Sequence, residues 1–205
     1  FSVPAGKKRV FVLSNDLNPD SYKYMIENIN KNKVSEFVEP LNIDGRVMIQ
    51  QAVQHMKEFS AKRNDIVAIS KKRKTSDQQS VTVKQEYPIP RFISHFVMNL
   101  PDSAIEFVNE YNGIYAEYPE IKDVEGFKLP YVHVYTFEKF SPDESPEPTE
   151  EELHRRVYEK LKKIMNYDKL DFSTVSFHTV RKVAPTKPMF RVSFPLPEEV
   201  AFRRV

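Results

Sequence analysis

From residue 9 to residue 167 the chain alternates short apolar runs with stretches that carry apolar residues at helical spacing, and it then closes on two strand-like runs in direct succession. Few architectures accept that order. The alternation points to βαβ units and a mostly parallel sheet within an α/β fold. The two closing runs, in "STVSFHTVRKVAPTKPMFRVSFPLP" (173–197), are joined by a loop too short for a crossover, so they pair antiparallel. A nicotinamide-binding Rossmann domain, whose strands all run parallel, does not end this way.

Individual segments follow from periodicity and turn chemistry. "RVFVLS" (9–14) is β-branched and aromatic, and "NDLNPDS" closes it with Asn, Asp and Pro. "SYKYMIENINKNK" (21–33) places Tyr22, Met25, Ile26 and Ile29 on a helical stripe. "EFVEPLN" (36–42) is the second strand, and its Pro40 favours an edge position. "GRVMIQQAVQHMKEF" (45–59) is an amphipathic helix, "RFISHFVMN" (91–99) the third strand and "DSAIEFVNEY" (102–111) the third helix. "LPYVHVYTFEKF" (129–140) is the fourth strand. "TEEELHRRVYEKLKKIMNY" (149–167) is a long helix with Leu153, Val157, Leu161 and Ile164 inward and charges that suit the helix dipole. Two stretches read as inserted mobile surface loops, one at about 60–88 carrying the run Lys71-Lys72-Arg73-Lys74 and one at 141–151 rich in Pro and acid. The basic run reads as a solvated loop, a phosphate contact or a nuclear address.

Composition narrows the function classes. At 205 residues, with 40% hydrophobic and 29% charged residues, the chain suits one globular domain. No apolar run reaches the roughly 20 residues that span a bilayer, so no membrane partner is expected. There is no cysteine, which removes disulfides and thiolate metal sites and fits an intracellular setting. A net charge of +2 does not by itself argue for nucleic acid. The start, "FSVPAGKKRVFVLSND", has neither an initiator Met nor a signal-peptide layout, so the chain is expected to be an internal fragment or a processed form.

With four glycines in the chain, no Gly-rich phosphate loop is visible, and there is no G-x-S-x-G elbow. Histidines 55, 95, 133, 154 and 178 share no metal-ligand spacing, and His95 and His133 read as satisfied core residues. What remains is a row of polar groups at strand ends. Asp16 follows the first run, Asp44 the second and Asn99 the third. In a parallel sheet the carboxyl ends share one edge, where open α/β sheets bind ligands. A carboxylate there can accept from both hydroxyls of a ribose or from an exocyclic amine, and an amide offers donor and acceptor together. Each residue also has a plainer role: Asp16 in an Asx-turn, Asp44 as a helix cap, and Asn99-Leu100-Pro101 as punctuation before a capping box of Asp102 or Ser103 with Glu106. Three such residues in register favour a nucleoside-bearing cofactor without saying which.

The ordered motifs "PAGKK", "NDLNPDS", "NIDGR", "FVMNLPDSAIEF", "HVYTF" and "VRKVAPTKPMF" resemble the catalytic domain of the eukaryotic and archaeal-type tRNA (guanine-37-N1)-methyltransferases, across nearly the whole chain outside the two loops. The resemblance implies a Rossmann-like class I methyltransferase sheet, S-adenosyl-L-methionine as cofactor and tRNA as partner, with the methyl group going to N1 of the guanosine 3′ of the anticodon. It implies a monomer in nucleus and cytoplasm, with the mitochondrial matrix as a further address. It places Asp16, Leu17, Asp44 and Gly45 on the cofactor, and Asn99 with Pro101 between the cofactor's methionine end and the guanine. It also implies that Phe1 ends the Gly-rich motif of a first strand lying upstream, together with a Glu base and an Arg partner, leaving a slot between the strands at 9–14 and 91–99. The fragment alone is then expected to be unstable and inactive. A wybutosine-pathway aminocarboxypropyl transferase would be expected to lack the "NLP" turn. A methyltransferase for exocyclic amines would carry Asn-Pro-Pro-aromatic where Leu100 stands. A non-catalytic Rossmann-like binding module is the third alternative.

Overall fold

The computed structural model describes residues 1–74 and 80–204 and divides into two compact units, residues 1–91 and 92–205. In the first unit α1 (Ser2–Lys7) leads into β1 (Val12–Asn15), α2 (Pro19–Lys31) and β2 (Val38–Leu41), followed by α3 (Gly45–Gln50), α4 (Ala52–Ala61) and the strands β3 (Ile66–Lys74) and β4 (Ser80–Pro88). β1 and β2 pair in parallel, Val12 opposite Val38 and Asn15 opposite Leu41. α2 starts where its chemistry dictates. Asn18 caps it by accepting from the amides of Asp20 and Ser21, and Pro19 occupies a first-turn position that needs no N–H.

The core of this unit gathers Ile29 of α2, Val34, Phe37 and Val38 at β2, Phe59 of α4, Val67 of β3 and Ile89. Phe11 and Tyr87 flank Phe37 with ring centroids 5.1 and 5.4 Å away. α1 closes against β2 at Gly6, where an added Cβ would stand 2.8 Å from Val38 Cγ2 and 3.0 Å from Val34 Cβ.

Two expectations fail in this unit. The helix expected over 45–59 is broken at Gln51, whose φ of −99° and ψ of 7° leave the α basin. The described residues of 60–88 are not an irregular loop: they finish α4 and then form two antiparallel strands, Ile66 opposite Pro88 through Lys74 opposite Ser80, while the part of the expected loop at 75–79 lies outside the described residues. An antiparallel pair satisfies the backbone groups on the facing edges of its two strands, so a charged sequence can be held there without an apolar stripe.

In the second unit β5 (His95–Met98), β6 (Tyr131–Phe137), β7 (Ser176–Ala184) and β8 (Lys187–Pro195) form one sheet in the order β5-β6-β8-β7. β5 and β6 are parallel, and β8 runs antiparallel to both of its neighbours. The closing hairpin is therefore as the sequence predicts, with Pro185 and Thr186 at its tip. The core is built from Val132, Val134, Phe190, Val192 and Phe194 of the sheet, from Val108 and Tyr111, and from Leu153, Val157, Leu161 and Met165 of α5 (Glu150–Met165). Met165 takes the last place on that stripe instead of Ile164. Thr149 and Glu152 form a capping box at the start of α5, and Asn166 ends it in the left-handed region. A short α6 (Glu198–Ala201) follows β8.

The segment after β5 also departs from expectation. Ala104–Tyr111 is a 3-10 helix, and Ser103 caps it without a side-chain hydrogen bond, so the capping box with Glu106 is not made. Ser103 sits at φ −135° and ψ −11°, away from the extended backbone that turns a cap hydroxyl toward the following amides. Asp102 pairs instead with Lys187 at 3.2 Å.

Candidate functional site

The carboxyl ends of β1 and β2 are tied together by two asparagines. The Asn15 side chain donates to the Ile43 carbonyl at 2.9 Å and accepts from the Ile43 amide at 3.1 Å. From the other strand, Asn42 Nδ2 donates to the carbonyls of Asp16 at 2.7 Å and Leu17 at 3.0 Å. The Asp16 amide adds a bond to the Leu41 carbonyl at 3.2 Å. This lacing crosses from one loop to the other and brings Asp16, Leu17, Asp44 and Gly45 to a single sheet end. Sequence reading missed both asparagines. Their signal lies in an amide one or two residues before each acid, Asn15-Asp16 and Asn42-Ile43-Asp44.

Both acids fill the plainer roles as well. Asp16 Oδ1 accepts from the Asn18 amide at 2.9 Å, an Asx-turn, and Asp44 Oδ1 accepts from the Arg46 amide at 2.7 Å as the cap of α3. These bonds fix the carboxylates without exhausting them, since an ionised carboxylate offers about four acceptor positions. Asp16 and Leu17 are exposed, and Asp44 and Gly45 partly so. The arrangement is a polar, acceptor-rich ledge with one apolar side chain, suited to hydroxyls and an amine beside a flat hydrophobic ring.

Asn99 and Pro101 lie in the second unit, at the carboxyl end of β5. The turn is held through its backbone. The Leu100 carbonyl accepts from Ser103 at 3.0 Å and Ala104 at 2.7 Å, and the Pro101 carbonyl accepts from the Phe137 amide at 3.1 Å. Asn99 is exposed at this fixed turn. On β6 and its neighbours, the reading of His95 and His133 as core residues is corrected. His95 is exposed, His95 Nδ1 lies 3.0 Å from His133 Nε2, and His133 Nδ1 lies 2.7 Å from Ser193 Oγ. The side chains of β6 alternate, and the apolar set Val132 and Val134 takes the covered face, leaving Tyr131 and His133 on the other. Burial holds the His133 imidazole below its usual range, helped by the His95 and Arg191 charges.

No family model matches the chain. Among curated proteins, it is 49% identical to a tRNA (guanine(37)-N(1))-methyltransferase of Candida albicans over all of this chain and 46% of that protein. It is 44% identical to the tRNA (guanine(37)-N(1))-methyltransferase of Saccharomyces cerevisiae over 98% of this chain and 42% of that one. The chain thus spans about half the length of the curated relatives it matches. Among solved structures, TYW2 of M. jannaschii, crystallised in complex with AdoMet, superposes with a TM-score of 0.50 over 95% of this chain and 62% of its own, at 16% identity. That likeness is one of fold alone, a mixed α/β arrangement with parallel and antiparallel strand pairs. Over nearly its whole length the chain is therefore similar to a segment of the tRNA (guanine(37)-N(1))-methyltransferases of these two organisms.

Proposed function

We propose that the intact protein transfers a methyl group from S-adenosyl-L-methionine to N1 of guanosine 37 of tRNA. The observation that carries this reading is the 49% identity over the whole chain to a protein of that activity. The residues present fit the cofactor. The ledge formed by Asp16 and Asp44 supplies anionic acceptors for ribose hydroxyls and the adenine amine, Leu17 is an apolar contact for the base, and Gly45 leaves room beside Asp44. When bound, S-adenosyl-L-methionine supplies an electrophilic methyl group on a sulfonium.

The chain's own residues then have defined tasks. Asp16 and Asp44, held by the lacing of Asn15 and Asn42, orient the nucleoside end without having to reorganise. Asn99 presents a donor and an acceptor at the Leu100-Pro101 turn and positions the guanine edge. Guanine N1 is protonated at neutral pH, so transfer requires that a base take this proton while a donor stabilises the charge that develops on O6. The Asn99 amide suits the second of these tasks and cannot serve as the base.

The test is direct. The intact protein is incubated with S-adenosyl-L-methionine and a tRNA transcript carrying G37, and the product nucleosides are mapped by mass spectrometry. Methyl addition at N1 of G37, absent from a transcript with A37, is the expected outcome. An aminocarboxypropyl product, or no product at all, overturns the reading.

A further inference from the structure

The sheet of the second unit has two unlike faces. Side chains alternate along each strand and directly opposed residues share a face, so the register sorts them. One face holds Val132 and Val134 of β6 with Phe190 and Val192 of β8, all buried, and α5 lies on it, the His154 ring 4.9 Å from that of Phe190. On the other face Tyr135, Arg191 and His178 form one cross-strand row, and His133, Ser193 and Ser176 form the next. Each of these six side chains carries an N–H or O–H group, and none is an acid. Arg181 belongs to this face too, because it stands opposite Met189, two residues from Arg191 along β8. Ser176, His178 and Arg181 are exposed, and Tyr135 and Arg191 partly so.

The hydrogen bonds of this face leave its two cations over. His133 lies between His95 and Ser193, at 3.0 and 2.7 Å, and Ser176 Oγ donates to the Ser193 carbonyl at 3.3 Å. Elsewhere in the chain Arg63 pairs with Glu39 and Arg155 with Glu151. Arg181 and Arg191 have no such carboxylate among the described residues. The Arg191 Nε–H is moreover buried and without a hydrogen-bond partner. A buried donor on a charged group is costly to leave unpaired, so this position calls for an anionic acceptor.

We propose that this face of the second unit's sheet binds the phosphate backbone of the tRNA substrate, with Arg191 and Arg181 each holding a phosphate. The proposal rests on the tRNA reading above. Charge complementarity selects the occupant. Two unpaired guanidiniums among neutral donors, with no acid beside them, match a chain of regularly spaced anions, whereas a single carboxylate would satisfy one arginine and leave the other. A guanidinium also presents the planar fork that pairs with phosphate through two parallel N–H···O bonds. Diagonal neighbours across a ladder stand about 7–8 Å apart, so Arg181 and Arg191 can meet separate phosphates. Such contacts set register and affinity without reading bases.

The experiment measures the affinity of the intact protein for a tRNA transcript across a salt series. The variants are Arg181→Gln/Arg191→Gln, the charge-keeping Arg181→Lys/Arg191→Lys, and Arg155→Gln/Lys163→Gln on α5, which covers the opposite face. Loss of two phosphate contacts should reduce the slope of log K against log salt by about 1.5 in the first variant. The slope should return in the lysine pair and stay at the wild-type value in the α5 pair. S-adenosyl-L-methionine binding should be unchanged in all three. An unaltered slope in Arg181→Gln/Arg191→Gln overturns the proposal, as does an equal reduction in the α5 pair, which would mean charge without a face. A lower unfolding midpoint with the slope intact also overturns it, because the guanidiniums would then be held by a carboxylate of the same polypeptide. Should the double variant not fold, Arg181→Gln alone, at an exposed position, decides the matter with an expected reduction of about 0.8. The same preparations are assayed for N1-methylguanosine. A wild-type protein that yields no such product while the arginine variant still loses slope would sink the activity reading and keep the sheet face as an RNA contact.

Discussion

Asp16 uses Oδ1 to close its own turn on the Asn18 amide, so removing the carboxylate touches both the ledge and the loop. Asp16→Ala in the intact protein should weaken S-adenosyl-L-methionine binding by roughly 1.5–3 kcal/mol, the range for hydrogen bonds to a charged group. Calorimetry decides it, and an unchanged dissociation constant removes Asp16 from the site. Asn99 is exposed at a turn whose geometry is kept by backbone bonds from Ser103, Ala104 and Phe137. Asn99→Ala should therefore fold normally and lower the single-turnover methyl-transfer rate by about two to three orders of magnitude, as for loss of a positioned donor. A normal rate would make the turn structural. His133 provides a pH signature. Its imidazole is held below the usual value by burial, then by the His95 and Arg191 charges, so the unfolded chain takes up a proton first as pH falls. The stability this provides is whole above about pH 6.5 and is lost as pH drops through the lowered folded value. Denaturant midpoints at pH 7.5 and 5.5 should converge in His133→Gln relative to the wild type, and an equal drop in both proteins refutes the assignment.

Elements with strong local chemistry were legible in the sequence, and those shaped by their surroundings were not. α5 could be read because Leu153, Val157 and Leu161 lie on one stripe and its acidic start and basic end suit the helix dipole. β1 and β2 could be read from their β-branched runs, and the two acids from their place after those runs. The hairpin of β3 and β4 could not, because the run from Ser70 to Lys74 hides the period-2 alternation that survives at Val67 and Ile69. The break at Gln51 carries no Gly or Pro to announce it. The lacing of Asn15 and Asn42 depends on register, which periodicity does not specify. One prediction belongs to this scale. Gly6 lets α1 lie against β2, and its Cβ in Gly6→Ala would press on Val38 at 2.8 Å and Val34 at 3.0 Å. Val34 and Val38 are 1% exposed and cannot yield, so the variant should lose about 1–3 kcal/mol of stability. A denaturant midpoint equal to that of the wild type would mean that α1 lifts away freely.

At the scale of the whole molecule, the decisive feature is how the strands end their pairing. Among the described residues β1 pairs with β2 alone, and β5 pairs with β6 alone, in separate sheets. Both are strands of parallel pairs, a type of sheet that proteins keep covered. Each presents one edge of N–H and C=O groups, and a buried group left unpaired costs about 1–3 kcal/mol, so whatever covers these edges must also hydrogen-bond to them. Apolar side chains accompany them, with Val97 47% exposed on β5 and Leu100 53% exposed just beyond it. An exposed edge with apolar side chains is a template for pairing with another chain. The 205-residue chain in isolation should therefore self-associate through β5, and sedimentation velocity should show the average coefficient rising with concentration. Val97→Lys places a charge on that edge, the device by which natural edge strands resist pairing, and should return the chain to a single species over the same range. A wild-type chain that sediments as one monomer at every concentration would show that the β5 edge is already satisfied, and association that persists unchanged in Val97→Lys would move the contact elsewhere.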